Sequence, residues 1–183
     1  MRYVKQLAAG LVLVVAVVAV AACGDDDGGG DSVSSAPTEA TTLPQGSEPA
    51  ELDPAEFSTE IDNPYWPMSP GSKWIYNEAD PEGDKKVVVT VTDETKQIAN
   101  GIEAVVVHDE VSQNGEPIEI TDDWYAQDSE GNIWYLGEDT AEYRNGKVDN
   151  TSGSFEAGVD GAQAGIAMPA DPVPGLAYRQ EYY

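Results

Sequence analysis

The sequence predicts a mainly β fold, an antiparallel meander that forms a curved sheet, a half-barrel or a barrel. After residue 61 no window of a dozen residues places apolar side chains at helical spacing, whereas short segments alternate or are rich in β-branched residues. Turn signals separate these segments at residues 100–101, 114–115, 128–132 and 145–146. Because a meander must protect its outer strands, we expect the sheet to curl or close.

The predicted strands follow in order from residue 85. Residues 85–93 contain an unbroken run of valine and threonine, which suits a pleated surface. Residues 102–111 alternate between two apolar faces, and residues 118–126 alternate between an apolar and a polar face. The remaining predicted strands are 133–136, 140–144 and 147–148. Residues 153–175, rich in Gly, Ala and Pro, are predicted to be a long loop.

The first 22 residues have the pattern of a secretory signal peptide. Arg2 and Lys5 precede an uncharged apolar run that is shorter than the ~20 residues a helix needs to cross a bilayer. Residues 20–23 resemble the lipobox of bacterial lipoproteins. That resemblance implies cleavage between Ala22 and Cys23, with membrane lipid attached through the Cys23 sulfur on the extracytoplasmic face of the cell membrane. An uncleaved anchor, or a plain secretory signal with a chance cysteine, is the alternative.

Two further regions complete the predicted organisation. Residues 23–60 hold Gly, Ser, Thr, Pro and acids with one aromatic, Phe57, and are predicted to be a disordered tether. About 35 such residues reach roughly 30–35 Å. Residues 61–183 are predicted to form one β domain. Because the chain stops in an aromatic, strand-like segment (residues 178–183), we expect this domain to lack its last strands.

Composition excludes several functional classes. The chain has 9 basic and 34 acidic residues, a net charge of −25, which argues against a nucleic-acid partner and against docking on anionic head groups. With Cys23 assigned to lipid and His108 the only histidine, thiol nucleophiles and a zinc site are poorly supplied. His108 is predicted to be a strand residue with a hydrogen-bond partner.

Carboxylates leave two alternatives open. Acidic pairs lie beside the aromatic hairpin at 122–123, 128–130 and 138–139, as in glycosidases, which use two carboxyl groups. Asp128, Glu130 and Asn132 also offer alternating oxygens of the kind that Ca²⁺ prefers. A plain turn, in which Asp128 bonds to its own backbone, explains these residues as well.

The tryptophans allow a binding role. On a curved sheet, Trp74, Trp124 and Trp134 would line an apolar cavity for a small molecule, as in small barrels and half-barrels. Core packing, with the indole N–H groups bonded, is the alternative.

Motifs spread over the domain resemble one family. They are the Asn-Pro-Tyr-Trp-Pro-Met segment at 63–68 with the following Pro-Gly-Ser, the Asp-Trp-Tyr-Ala-Gln-Asp segment at 123–128, and the segment 131–140. Together they are similar to an uncharacterised, actinobacterial-type family of bacterial lipoproteins and secreted proteins. The resemblance implies no known activity, and it implies a chain that continues past residues 178–183.

The sequence as a whole therefore predicts a lipid-anchored extracytoplasmic protein. Its β domain is expected to be non-enzymatic, binding an apolar ligand or serving envelope structure, with no cofactor unless Ca²⁺ occupies the 128–132 turn. A carboxylate-dependent hydrolase and a calcium-stabilised scaffold are the alternatives.

Overall fold

The structure is a computed structural model that describes residues 43–79, 81 and 83–183. The predicted signal peptide, Ala22, Cys23 and the tether up to residue 42 lie outside the described residues. The described part contains one 3₁₀ turn, Pro54–Glu56, and these strands: β1 Phe57–Ser58, β2 Lys73–Glu78, β3 Lys85–Gln97, β4 Glu103–Gln113, β5 Glu116–Asp128, β6 Ile133–Arg144, β7 Lys147–Asn150, β8 Phe155–Glu156, β9 Gln163–Met168 and β10 Glu181–Tyr182. No helix within this part is long and apolar enough to cross a membrane.

One curled antiparallel sheet forms a half-barrel, as the sequence predicts. Its strand order is β10-β9-β6-β5-β4-β3-β2, while β1 pairs with β5 and both β7 and β8 pair with β6. From β2 to β6 each strand pairs with its neighbour in sequence, which is the predicted meander.

The hairpin turns form because Asn-Gly pairs accept left-handed backbone conformations. Asn114 and Gly115 have φ of 54° and 83°, and Asn145 and Gly146 have φ of 53° and 69°. Positive φ at both central residues matches the twist of the flanking strands. The turns predicted at these positions are confirmed.

β6 is one strand where the sequence predicts two, 133–136 and 140–144. Gly137 lies between those segments with φ of 140°, opposite Trp124, and the register shifts there by a bulge. A glycine tolerates this conformation without ending the strand. The glycine therefore bends β6 rather than terminating it.

Both faces of the central strands β4, β5 and β6 are buried. Ala104, Trp124 and Trp134 belong to one apolar cluster, and their neighbours Val105, Tyr125 and Tyr135 belong to a second. Because successive side chains of a strand point to opposite faces, the two clusters lie on opposite sides of the sheet. We call them the first and the second core cluster.

The domain begins earlier than residue 61, so that predicted boundary is wrong. Leu43, Ala50, Leu52 and Phe57, which the sequence assigns to the tether, pack on the first core cluster. Ile61, Met68 and Trp66 then cover the second cluster on the other face. The chain just before the sheet thus covers both of its faces, and four dispersed apolar residues suffice to hold an otherwise polar segment.

The predicted loop 153–175 contains β8 and β9, so it is only partly a loop. β9 pairs with β6 on one side and with β10 on the other. At Gly165 an added Cβ would lie 2.3 Å from the carbonyl oxygens of Arg179 and Gln180. The small residues of this segment therefore serve close backbone approach in a sheet, which a composition typical of loops conceals.

Candidate functional site

A cleft of about 310 Å³ lies between the segment 43–52, which we call the strap, and the turn that joins β5 to β6. The strap contributes Leu43, Pro44, Gln45, Glu48, Pro49, Ala50, Glu51 and Leu52, and the sheet contributes Asp128, Glu130, Asn132 and Trp134. Trp134 and Asn132 are buried, Leu43 and Leu52 are half-buried, and Glu48 and Glu51 are exposed. The cleft is thus apolar at its base and acidic at its mouth.

Arg179 fastens the strap to the sheet. Its guanidinium donates to the carbonyl oxygens of Gly46 and Glu48 in the strap and to that of Ala164 in β9. The Arg179 backbone N–H also donates to Pro44 O at 2.7 Å. Arg179 is 7% exposed, and burial lowers its pKa, although guanidinium remains charged under all ordinary conditions. The strap is therefore a fixed wall of the cleft.

Asp128 organises the sheet side of the cleft. Its Oδ1 accepts the backbone N–H groups of Glu130 and Asn132 at 3.0 and 2.8 Å. Its Oδ2 accepts the Asn132 Nδ2 at 2.9 Å and the Trp134 Nε1 at 2.7 Å. Asn132 Oδ1 in turn accepts the Ala170 N–H at 2.9 Å. The turn and the indole are thus oriented by one carboxylate.

These bonds bear directly on the calcium hypothesis for Asp128, Glu130 and Asn132. A carboxylate has about four lone-pair directions, and Asp128 uses all four for N–H donors. A cation would have to displace donors that shape the turn. Among the described residues no group of three or more His, Cys, Asp or Glu side chains is arranged to hold a metal ion. The geometry favours the turn, the other interpretation that the sequence left open.

The three tryptophans predicted to line one cavity lie apart. Trp124 and Trp134 belong to the first core cluster, whereas Trp74 packs against the second on the opposite face. Lys96 Nζ lies 4.4 Å from the centroid of the Trp124 ring and also pairs with Glu156 at 3.0 Å. A single cavity lined by all three is therefore wrong, because alternate positions and different strands place them on different faces. Trp134 alone lies at the cleft described above.

On the face of the sheet that carries the second core cluster, a tyrosine bridges two carboxyl groups. Tyr135 Oη lies 2.7 Å from Asp123 Oδ1 and 2.7 Å from Glu138 Oε2. The ring stacks on Tyr125 at 5.1 Å and meets Phe155 edge-on at 5.4 Å. Asp123 and Glu138 are directly paired across β5 and β6, so the sheet register brings the two carboxyl groups together.

The hydrogen-bond geometry of this triad requires a second proton. A phenol has one hydrogen, so Tyr135 donates to one carboxylate, and the other carboxyl must donate its own proton to the phenol oxygen. Burial, followed by the charge of Glu138, raises the pKa of Asp123 to about 7, although the Tyr135 hydrogen bond acts to lower it. Burial also raises the pKa of Glu138. We assign the additional proton to Asp123, which carries the larger shift.

The triad does not favour the glycosidase alternative. Asp123 can hold a proton near neutrality, as a general acid must. However, the Tyr135 hydroxyl occupies the space between the two carboxyl groups, where a glycosidic bond would have to lie. The three groups therefore form a satisfied hydrogen-bonded unit on a packed face.

The predicted partner of His108 is an aspartate. His108 Nδ1 lies 2.7 Å from Asp122 Oδ1, and the two residues are paired across β4 and β5. Both side chains are half-exposed. The interpretation of His108 as a strand residue with a hydrogen-bond partner is confirmed.

Sequence reasoning missed the strap and Arg179. The strap's Leu43, Ala50 and Leu52 are spaced too irregularly to indicate an element. The available signal was chemical: Arg179 is one of only nine basic residues, and it directly follows the apolar run Leu176, Ala177 and Tyr178. A cation in that setting requires carbonyl or carboxylate partners.

Comparisons with protein-family models, with curated proteins and with solved structures gave no match. The resemblance to a lipoprotein family stays a prediction from the sequence motifs.

Proposed function

We propose that this protein is a lipid-anchored lipoprotein of the extracytoplasmic membrane face, whose half-barrel binds a small ligand without chemical turnover. The acyl anchor at Cys23 and the polar tether would hold the domain clear of the membrane surface. The ligand would occupy the cleft between the strap and Trp134.

The preformed cleft is the observation that carries the binding role. Its volume of about 310 Å³ falls at the lower end of small-molecule sites, which combine an apolar lining with a few convergent polar groups. Leu43, Leu52 and Trp134 supply the apolar part. Because Arg179 and Asp128 already fix both walls, little conformational entropy is lost on binding.

The anchor rests on the signal pattern that ends at Cys23. Two acyl chains attach a protein stably, since each buried CH₂ contributes about 0.8 kcal/mol and a single chain is marginal. Cys23→Ser should abolish incorporation of a labelled fatty acid. Ser32→Ala in the tether is the matched control. Continued labelling of the Cys23→Ser protein would overturn the anchor.

Native mass spectrometry tests the binding role. The mature chain with Cys23→Ser, purified from its own cells without organic solvent, should carry an additional non-covalent mass of a few hundred daltons. Tightening the cleft with Ala50→Leu should remove that mass while the fold is retained. If the protein shows only its bare mass, even after incubation with increasing amounts of cell extract, the binding role is contradicted and a purely structural envelope protein is favoured.

A further inference from the structure

The cleft at Trp134 is chemically one-sided. Its twelve lining residues include four carboxylates, those of Glu48, Glu51, Asp128 and Glu130, and no lysine, arginine or histidine. Glu48 and Glu51 stand on the strap at the exposed mouth, and the other two stand on the β5–β6 turn. A ligand entering the cleft therefore passes between acidic groups on two opposing walls.

Within the part of the chain that the structure describes, Arg179 offsets this charge only in part. All four donors to the Asp128 carboxylate are neutral N–H groups, so none of them is a cation. Arg179 attracts the Glu48 carboxylate, but its guanidinium donates its hydrogen bonds to the carbonyl oxygens of Gly46, Glu48 and Ala164. One buried cation thus accompanies four acidic side chains.

The base of the cleft has the opposite character. Trp134 is 7% exposed and belongs to the first core cluster, against which Leu43, Ala50 and Leu52 pack. The Trp134 N–H is already bonded to Asp128, so the ring offers the ligand only apolar surface. A short hydrocarbon group would contact these apolar side chains, and the binding would be favoured because apolar surface is removed from water.

We propose that the cleft selects a small organic cation, an amine or quaternary ammonium with a short apolar tail. This rests on the proposed binding function and gives the chemical class of its ligand. The tail would contact Leu43, Leu52 and Trp134, and the cationic head would lie between the carboxylates at the mouth. A fatty acid or other anion of equal length would meet the same carboxylates and be repelled.

Three ligands with the same eight-carbon chain test the charge preference: octyltrimethylammonium, octanol and octyl sulfate. Binding to the mature chain carrying Cys23→Ser is measured by isothermal titration calorimetry, below the micellar concentration of each ligand. Octyltrimethylammonium should bind at least about tenfold more tightly than octanol, and octyl sulfate should bind most weakly. Raising the salt concentration should weaken only the cation, because salt screens exposed charges.

Two matched double variants locate the effect. Glu48→Gln with Glu51→Gln should lower the affinity for octyltrimethylammonium about tenfold and leave octanol unchanged. Glu60→Gln with Glu116→Gln removes the same charge at exposed positions outside the cleft lining and should leave both affinities close to wild type. Melting curves of all variants confirm that each is folded.

Every outcome decides one of the two proposals. Equal binding of all three ligands, or loss of the cation preference in the control double variant alone, would overturn the cationic ligand class and leave the binding function standing. Tighter binding of octyl sulfate would also overturn the ligand class. If none of the ligands binds to the folded protein, the cleft is not a binding site and both proposals fail.

Discussion

The hydrogen-bonded triad of Asp123, Tyr135 and Glu138 predicts an unusual dependence of stability on pH. Burial raises the pKa of Asp123 from its ordinary 3.8 to about 7. A carboxyl group whose pKa is higher in the folded than in the unfolded state binds its proton preferentially when folded. Stability should therefore be highest at low pH and be lost as the pH rises through 7, the reverse of a salt-bridged carboxylate.

The size of the effect follows from the shift. The pKa of Asp123 is about 7 in the folded state and 3.8 in the unfolded state. Because a shift of one pKa unit corresponds to about 1.36 kcal/mol, Asp123 alone should contribute about 2.6 kcal/mol more stability at pH 5 than at pH 8. For a domain of this size that corresponds to about 8–10 °C in Tm. Carboxyl groups facing the triad act in the same direction, since burial also raises the pKa of Asp109 to about 6 and raises those of Glu119, Glu138 and Glu181.

Asp123→Asn isolates the contribution of one group. The carboxamide keeps the shape of a protonated carboxyl and can still hydrogen-bond to Tyr135, but it does not titrate. The increase in Tm between pH 8 and pH 5 should be about 8–10 °C smaller in this variant than in wild type. Asp139→Asn, at the exposed neighbour of Glu138, is the control and should keep the wild-type increase. Identical pH dependence of Asp123→Asn and wild type would refute the shared-proton arrangement.

Three further predictions concern the packing. A chain starting at residue 61 should have a free energy of unfolding in urea about 4 kcal/mol lower than a chain starting at residue 43, because it loses four partly buried apolar residues: Leu43, Ala50, Leu52 and Phe57. Equal stability of the two chains would support the domain boundary at residue 61. Gly165→Ala would place its Cβ 2.3 Å from two backbone oxygens and should therefore separate β10 from β9. Faster amide hydrogen exchange at Glu181 is the expected result, and unchanged exchange would contradict this packing. Trp134→Phe leaves the half-buried Asp128 carboxylate without its indole donor and should cost about 1–3 kcal/mol, more than Trp124→Phe. A smaller cost would show that the indole hydrogen bond does not stabilise the turn.

The strands were predictable because their determinants are local. Asn114-Gly115 and Asn145-Gly146 fix the turns, and alternation in residues 118–126 fixes which side chains share a face. What lies on each face was not predictable from alternation alone. The polar-looking face of β5 carries Tyr125 in a core cluster, because residues 61–68 fold back over it.

The candidate site was only partly predictable for the same reason. Asp128, Glu130, Asn132 and Trp134 were singled out, but as separate calcium and cavity residues rather than as one wall of a cleft. The opposite wall comes from a segment nearly eighty residues earlier, and Arg179, some fifty residues later, holds it in place. Contacts at such separations leave no periodic pattern in the sequence.

The cleft is tested most directly by the indole N–H resonances of the four tryptophans in ¹⁵N-labelled mature protein carrying Cys23→Ser. Titration with octyltrimethylammonium should shift the Trp134 resonance, because its N–H lies at the cleft and bonds to Asp128. Trp66 and Trp74, which pack on the opposite face, should not move. A saturable shift confined to Trp134 is the predicted result. Shifts at Trp66 or Trp74 with Trp134 unchanged would contradict the cleft as the binding site.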